Sequence, residues 1–414
     1  MNQVQKSVLR LAIRAGEIMM QSGAEIYRVE DTITRICTAC HIRYVEVFAT
    51  PTGIFVSLYP SDEEGDVLTS LSRIHYANTN LKKISDINEF SREFTTTDMT
   101  IEEGLARLNK ISKQDRYPIP LRLLGAGLVA GFFCALLSGN PLDSFCSGCI
   151  GVASYALSIF LHRYAINYFI RGFCCCALST ILALISVSLS IGASPGSMVI
   201  GSLMIYVPGA ALTNSIRDFL SGDMLAGIAR AAEALVVAVS LATGAGIVIK
   251  LWAIHGLGME TAAEADNMGI AMFIGFAATF GFCILMNVPK ENLIAASVIG
   301  GAGWVAYQLT QNALGMLGAM FIASCVVGLA SDICSRIFKQ ASTVFTIPGI
   351  IPLLPGSGIY YTMLALISGN LGEAATLGAQ TLFSAGAIAI GLLAIGSAIN
   401  ILLALHRRIM RVVK

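Results

Sequence analysis

Apolar and polar positions along this chain follow two regimes that meet near residue 118. In residues 1–118 they alternate with short periods. Val4, Val8, Leu11, Ala12, Ala15, Ile18 and Met19 recur every three or four residues, which lays one apolar stripe along an amphipathic helix of about five turns. Ser22-Gly23-Ala24-Glu25 then has the spacing of a capping box, in which Ser22 would accept from the Glu25 N–H while Glu25 reaches back. A second helix is expected after it, with Ile26, Val29, Ile33, Ile36 and Cys40 inward. Tyr44 to Ala49 and Ile54 to Tyr59 are rich in β-branched and aromatic residues, and the Thr50-Pro51-Thr52-Gly53 turn between them predicts a hairpin. Arg73 to Tyr76 is expected to add a strand. Helices are predicted from about Lys82 to Phe94 and from Ile101 to Ser112, the latter behind a Thr100/Glu103 box. The fold class expected for residues 1–118 is a small α+β domain.

Beyond Pro118 the period disappears and ten apolar segments follow: 120–138, 144–162, 171–191, 195–213, 225–251, 268–288, 291–309, 313–335, 342–367 and 373–405. Each approaches the roughly 20 residues that cross a bilayer. The basic turns at Arg163 and Arg171, Arg217 and Arg230, Lys290, and Arg336 and Lys339 alternate with uncharged or acidic ones, such as that of Glu260, Glu264 and Asp266. With the basic tail His406-Arg407-Arg408, this places both termini in the cytoplasm by the positive-inside rule. The N-terminus carries charges through its apolar pattern and does not read as a signal peptide.

An offset of 147 residues superimposes Phe133 on Phe280, Asn140 on Asn287, Pro208-Gly209 on Pro355-Gly356, and Glu233 on Gln380. Five spans per copy is an odd number, so the second copy is inverted. The expected architecture is a polytopic α-helical membrane protein of about ten transmembrane helices in two inverted five-helix repeats with broken helices. Its parts are a cytoplasmic domain 1–118, a first repeat 119–255, a second repeat 266–405 and a tail 406–414. Secondary transporters built this way place the substrate near the midplane, at discontinuous helices.

Composition sharpens the division. Of 414 residues 55% are hydrophobic and 13% charged, against about 25% charged in ordinary soluble proteins. The first 118 residues hold 14 Lys/Arg and 16 Asp/Glu. A net charge of +1 gives no basic face for nucleic acid. The eleven cysteines lie mostly in apolar runs, and the pairs Cys37/Cys40 and Cys146/Cys149 fall in different compartments of this topology. No metal or other cofactor is expected.

Polar residues gather around the first break: Thr213, Asn214, Arg217, Asp218, Ser221, Asp223, Arg230 and Glu233. Asn214, Arg217 and Ser221 share a helical face, and Arg230 and Glu233 are i, i+3 neighbours. Glu233 lies some nine residues inside its span and is the candidate proton or ammonium partner; its repeat mate Gln380 is neutral. Glu373 and Asp332 lie near span ends, where snorkelling to water explains them.

The runs Ser22-Gly23-Ala24-Glu25-Ile26-Tyr27-Arg28-Val29-Glu30-Asp31-Thr32 and Thr50-Pro51-Thr52-Gly53-Ile54, with Val207-Pro208-Gly209, Thr213-Asn214-Ser215-Ile216-Arg217-Asp218 and Arg230-Ala231-Ala232-Glu233-Ala234, resemble the bacterial threonine/serine exporter family over essentially the whole chain. That resemblance implies efflux of small hydrophilic metabolites across the cytoplasmic membrane, driven by the proton-motive force. Split two-chain members are associated with succinate export. Carried residue by residue, it marks Glu25, Arg28, Glu30 and Asp31 in the soluble domain and Asn214, Arg217, Asp218 and Glu233 in the membrane domain. Ser22 and Thr52 of the same soluble-domain runs, Arg230, and the repeat-matched breaks Pro208, Gly209, Pro355 and Gly356 complete the candidate site residues. The expected partners are threonine, serine or a dicarboxylate, protons and the bilayer; a homo-oligomer is compatible with this reading. Two other readings stand beside it. Ser22, Glu25, Glu30, Asp31 and Thr52 with His41 or His75 could form a membrane-anchored hydrolase, or the soluble domain could be a gate or sensor. A passive channel is the remaining alternative to a coupled transporter.

Overall fold

The computed structural model describes residues 3–42, 44–59, 67–74, 79–138, 140–164, 166–252 and 268–412. The expected acidic turn with Glu260, Glu264 and Asp266, the His75 position, the 255/266 repeat boundary and Lys414 lie outside the described residues. The chain divides into two compact units. The first is Met1–Tyr117 together with Met286–Lys290 and Ser335–Val344; the second is the remainder.

In the first unit, α1 (Gln3–Gln21) and α2 (Ile26–Ala39) precede β1 (Tyr44–Thr50), β2 (Gly53–Tyr59) and β3 (Leu68–Arg73), and α3 (Leu81–Phe94) and α4 (Ile101–Ser112) follow. The sheet is antiparallel in the order β1-β2-β3. Thr50 opposes Gly53 across the hairpin turn. Alternation along β2 turns Ile54, Val56 and Leu58 inward, all at most 2% exposed, while Phe55 faces out beside Phe48 of β1. The stripe of α1 closes the core: Val8, Leu11, Ala12, Ala15, Ile18 and Met19 are buried. A Cβ at Gly16 would stand 2.7 Å from Ile33 Cδ1 and 3.2 Å from Ile54 Cδ1, so glycine there is what lets α1 close on α2 and the sheet.

Two local expectations are corrected. Ser22 and Glu25 form no capping box. The Ser22 N–H bonds back to the Ile18 and Met19 carbonyls, so Ser22 still belongs to the last turn of α1. Gly23 then reverses the chain at φ +80°, and α2 begins only at Ile26, with Glu25 at its N-cap and no side-chain cap. The spacing was right for a box, but the turn consumes the residue that would have capped. Among the described residues the third strand is Leu68–Arg73, set by pairing with β2, where Leu68 opposes Leu58 and Arg73 opposes Gly53; of the expected Arg73–Tyr76, residues 75 and 76 lie outside the described residues. Its Thr and Ser residues carry no strong strand pattern of their own. The Thr100/Glu103 box forms as its spacing predicts.

The second unit is helical: α5 (Ile119–Ser138), α6 (Pro141–Arg163), α7 (Tyr168–Ser188), α8 (Pro195–Leu203), α9 (Gly209–Ser221), α10 (Met224–Trp252), α11 (Met268–Leu285), α12 (Leu293–Phe338), α13 (Thr343–Gly349), α14 (Gly356–Ile367) and α15 (Leu371–Val412). Among the described residues seven helices are long and apolar enough to cross a membrane, or eight if the bent pair Thr343–Leu353 and Gly356–Ile367 counts as one. This is a multi-pass membrane protein. Within α12, Gly315 leaves helical geometry at φ 68°, ψ 176°. Small residues bring the helices together, as they must where lipid supplies no hydrophobic drive between helices. A Cβ at Gly131 of α5 would lie 2.9 Å from the Ser144 carbonyl of α6, and one at Gly281 of α11 would lie 2.7 Å from the Gly125 carbonyl of α5.

Candidate substrate crossing and the motif of the first unit

The two breaks that the repeat matches meet in space. Pro208 and Pro355 stand at the N-caps of α9 and α14, and neither helix has a side-chain cap. A Cβ at Gly209 would lie 3.0 Å from Leu354 Cβ, and one at Gly356 would lie 2.9 Å from Met204 Sδ and 3.1 Å from Val207 Cγ1. Proline forces this arrangement: it donates no N–H and disfavours helical geometry in the residue before it, so the upstream helix stops and a new one starts. The segments around the second break meet at 51°. Each new helix presents first-turn N–H groups without intrahelical acceptors and the positive end of its dipole. Thr213 lies four residues beyond Gly209, on the same face of α9, and is 1% exposed. Its Oγ1 has no hydrogen-bond partner among the described residues.

Further along α9, Asp218 is 7% exposed and pairs with Arg230 of α10, Oδ2 to Nη1 3.1 Å. The ion pair of Arg230 thus runs across to α9, not along its own helix to Glu233. Ser215 Oγ donates to the Gly227 carbonyl at 2.8 Å, a second tie between the same helices. Asn214 and Arg217 are half-buried, and Ser221 is exposed. Glu233 is exposed on α10, and the neighbouring Leu235, Val236 and Val239 are exposed as well. Sequence reasoning missed Asp143, fully buried at the start of α6, whose Oδ1 accepts the Ala193 N–H at 2.8 Å. Its signal was legible in Asn140-Pro141, which opens α6 with the Asn140 side chain accepting the Leu142 N–H.

In the first unit the marked residues take separate duties. Glu25 is 6% exposed and its Oε2 accepts Arg28 Nε at 2.6 Å. The same guanidinium donates to Ser342 Oγ at 2.9 Å and lies over the Tyr27 ring, 5.4 Å from its centroid. Glu30 Oε1 accepts the Ala49 N–H at 2.9 Å, tying α2 to β1. Asp31 pairs with Arg35 at the surface, Thr52 accepts the Ile74 N–H through its carbonyl, and the Ser22 carbonyl accepts the Asn80 N–H. The structure therefore does not join Ser22, Glu30, Asp31 and Thr52 into one cluster. Burial pushes the Cys37 thiol up to about 12, assisted by Cys40, so it is protonated at neutral pH.

The segments Met286–Lys290 and Ser335–Val344 are held by several contacts in this unit. The Leu81 and Lys82 N–H groups, which open α3, donate to the Met286 and Asn287 carbonyls at 3.0 Å each. Asn287 Nδ2 donates to Asn80 Oδ1 at 2.9 Å, the Tyr117 hydroxyl to the Val288 carbonyl at 2.8 Å, and Arg92 to the Lys339 carbonyl at 2.8 Å. Ser85 Oγ donates to Gln340 Oε1.

A small sheet-and-helix unit and a set of apolar helices with two proline breaks make up a polytopic membrane protein. The threonine/serine exporter family profile matches residues 10–252, and a second one, "Threonine/Serine exporter, ThrE", matches residues 271–398. The chain belongs to the threonine/serine exporter family. It is 24% identical over 394 residues to the "Threonine/serine exporter" of Corynebacterium glutamicum, covering 93% of this chain and 81% of that protein. It is 24% identical over 376 residues to the "Probable threonine/serine exporter" of Mycobacterium tuberculosis, covering 87% and 70%. Similarity at 24% over 262 residues also reaches the "Probable succinate transporter subunit YjjP" of Escherichia coli, covering 61% of this chain and 97% of that subunit. No solved structure matches the chain.

Proposed function

We propose that this protein exports threonine and serine across the cytoplasmic membrane in exchange for protons, and that the substrate sits where the two breaks meet. The observation that carries the reading is the apposition of Gly209 with Leu354 and of Gly356 with Met204 and Val207. An amino-acid carboxylate needs donors without a competing acceptor, and the first turn of α9 supplies them with the buried Thr213 hydroxyl beside them, while at α14 the Gly356 N–H is already taken by the Leu354 carbonyl. The ammonium group needs an anion or carbonyls; the chain ends of α8 and the segment before Pro355 present the latter. The Asp218–Arg230 pair lies three turns or less beyond and holds α9 on α10, with half-buried Arg217 next to it in α9.

Ten spans follow if α8 with α9 is one broken span and α12 is two. At 1.5 Å per residue the 46 residues of α12 would run about 69 Å, roughly twice a bilayer core, and Gly315 is the natural division. Two inverted five-span repeats, 119–255 and 266–405, then leave residues 1–118 and the basic tail on the same side, and the basic turns assign that side to the cytoplasm. Glu233 is the residue we assign to proton exchange. It lies about 14 Å into α10, where a charge exposed among apolar side chains at membrane depth costs about 2.5–3.5 kcal/mol, so a carboxylate there needs water or a partner. The similarity to the succinate transporter subunit supports a dicarboxylate as the second reading, with Arg217 and Arg230 as its two cationic sites.

Uptake of labelled threonine, serine and succinate into proteoliposomes, with and without an imposed pH gradient, tests both. Gradient-driven accumulation of the amino acids, lost in Glu233→Gln, is the expected result. Accumulation of succinate alone selects the second reading. Equilibration without accumulation makes the protein a passive channel, and no flux of any of the three removes the transport assignment for these substrates.

A further inference from the structure

The apolar stripe of α1 is absorbed by the core, but the opposite side of the helix carries a second stripe that the transport reading does not use. Lys6, Arg10 and Arg14 recur every four residues, so their Cα atoms rise about 6 Å per step along one face. They line a cavity of about 620 Å³ between α1, β3 and α4, with Leu9, Ile13, Leu68 and Leu105 as apolar walls and Thr69, Ser70 and Asn109 as polar ones. The single carboxylate in the lining, Glu17, is already engaged: Oε2 accepts Arg14 Nη1 at 3.0 Å and Oε1 accepts Ser72 Oγ at 2.5 Å. Lys6 and Arg10 have no ion-pair partner among the described residues, and both are exposed. Like charges one turn apart repel. At the inner end of the stripe Glu17 offsets Arg14, and a further cation, Lys83, meets Arg14 at Ser112. Arg14 also donates to Ser112 Oγ at 3.1 Å, and Lys83 Nζ donates to the Ser112 carbonyl at 2.6 Å. Burial lowers the Lys83 pKa, Arg116 adds to that, Asp115 partly opposes it and Arg14 lowers it further.

A cavity of metabolite size with one cationic wall, one apolar wall and hydroxyl groups between them suits a molecule that joins an anionic chain to a carbon skeleton. Phosphate groups suit the cations best, since a guanidinium binds phosphate through two hydrogen bonds and a phosphorylated molecule offers more negative charge than a single carboxylate does. We propose that the first unit binds a small phosphorylated metabolite in this cavity, its phosphates on Lys6 and Arg10, with Arg14 held by Glu17 at the inner end, and its skeleton against Leu9, Ile13 and Leu105. The site is separate from the substrate crossing and stands whether or not threonine is transported. An exporter with such a site would have its activity set by a metabolite it does not carry.

The test uses the full chain in phosphatidylcholine nanodiscs at constant ionic strength, with thermal unfolding and calorimetric titration against pyrophosphate and ATP. Saturable binding of ATP is expected, with pyrophosphate weaker because it lacks the skeleton. Lys6→Gln and Arg10→Gln, both at exposed positions, are each expected to weaken binding about ten-fold and to leave the unliganded unfolding midpoint unchanged. Binding that is unaltered in the double variant, or the absence of binding to the unmodified chain, would overturn the proposal. Nanodiscs containing phosphatidylglycerol separate the two sources of phosphate. A stabilisation that depends on that lipid and on Lys6 and Arg10, with no response to the soluble probes, would assign the cavity to a lipid headgroup and reject the metabolite.

Discussion

Individual residues in this protein are explained by what burial demands of their polar atoms. Glu25 is the clearest case: its carboxylate lies at the N-cap of α2, almost without solvent, and Arg28 answers it from one turn later. Glu-x-x-Arg is visible in the sequence as a charge pair. That it is buried, and that the guanidinium also reaches Ser342, 314 positions along the chain, is not visible there. Removing one partner of a buried pair leaves the other charge uncompensated, which costs about 3–5 kcal/mol. Arg28→Ala is therefore expected to destabilise the first unit by about 3 kcal/mol in denaturant titration, and combining it with Glu25→Gln is expected to cost less than Arg28→Ala alone. A double variant as unstable as the sum of the singles would mean that the pair is not coupled. Ser22 shows the opposite relation: its spacing to Glu25 advertised a cap, and the extra turn at Gly23 took it away.

Secondary-structure elements were legible wherever a period or a breaker was strong. The hairpin, α3, α4 and most apolar helices fall within a few residues of the positions that the pattern predicts. β3 was missed because Leu68-Thr69-Ser70-Leu71-Ser72-Arg73 has no buried face of its own, and only pairing with β2 makes it a strand. The broken helices were foreshadowed by Pro208-Gly209 and Pro355-Gly356, since proline ends helices through covalent geometry that no tertiary context can undo. Their meeting is a matter of packing. Gly356→Val places a side chain against Met204 and Val207, and the reinforced crowding is expected to abolish transport while leaving the circular dichroism helix content intact. A Gly356→Ala variant, whose added methyl meets the flexible Met204 side chain, is expected to retain part of the activity. Equal and full activity in both would remove the crossing from the pathway.

At the scale of the molecule, two chain segments far from the N-terminus, Met286–Lys290 and Ser335–Val344, belong to the first unit. They directly follow α11 and flank the end of α12 and the start of α13, so in the ten-span reading both are cytoplasmic turns, which agrees with Lys290, Arg336 and Lys339 in them and with a cytoplasmic first unit. In a cysteine-free background, a single cysteine at Thr97 is expected to react with an impermeant maleimide only after the membrane is opened, and one at Asn370 to react in intact cells. Labelling of Thr97→Cys from outside would invert the topology. The sequence by itself determined what depends on local chemistry and on solvent: the charge-rich and charge-poor halves, the apolar lengths set by bilayer thickness, the amphipathic stripes, and the proline breaks. Only the tertiary structure decided which distant groups meet: Arg28 with Ser342, Asp218 with Arg230, Gly209 with Leu354, and a basic stripe with a cavity beside it. The physical reason is that a period or a breaker acts within one helix turn and can be read along the chain. A partner across the fold is selected by shape and burial among all the others, and neither quantity exists until the chain has packed.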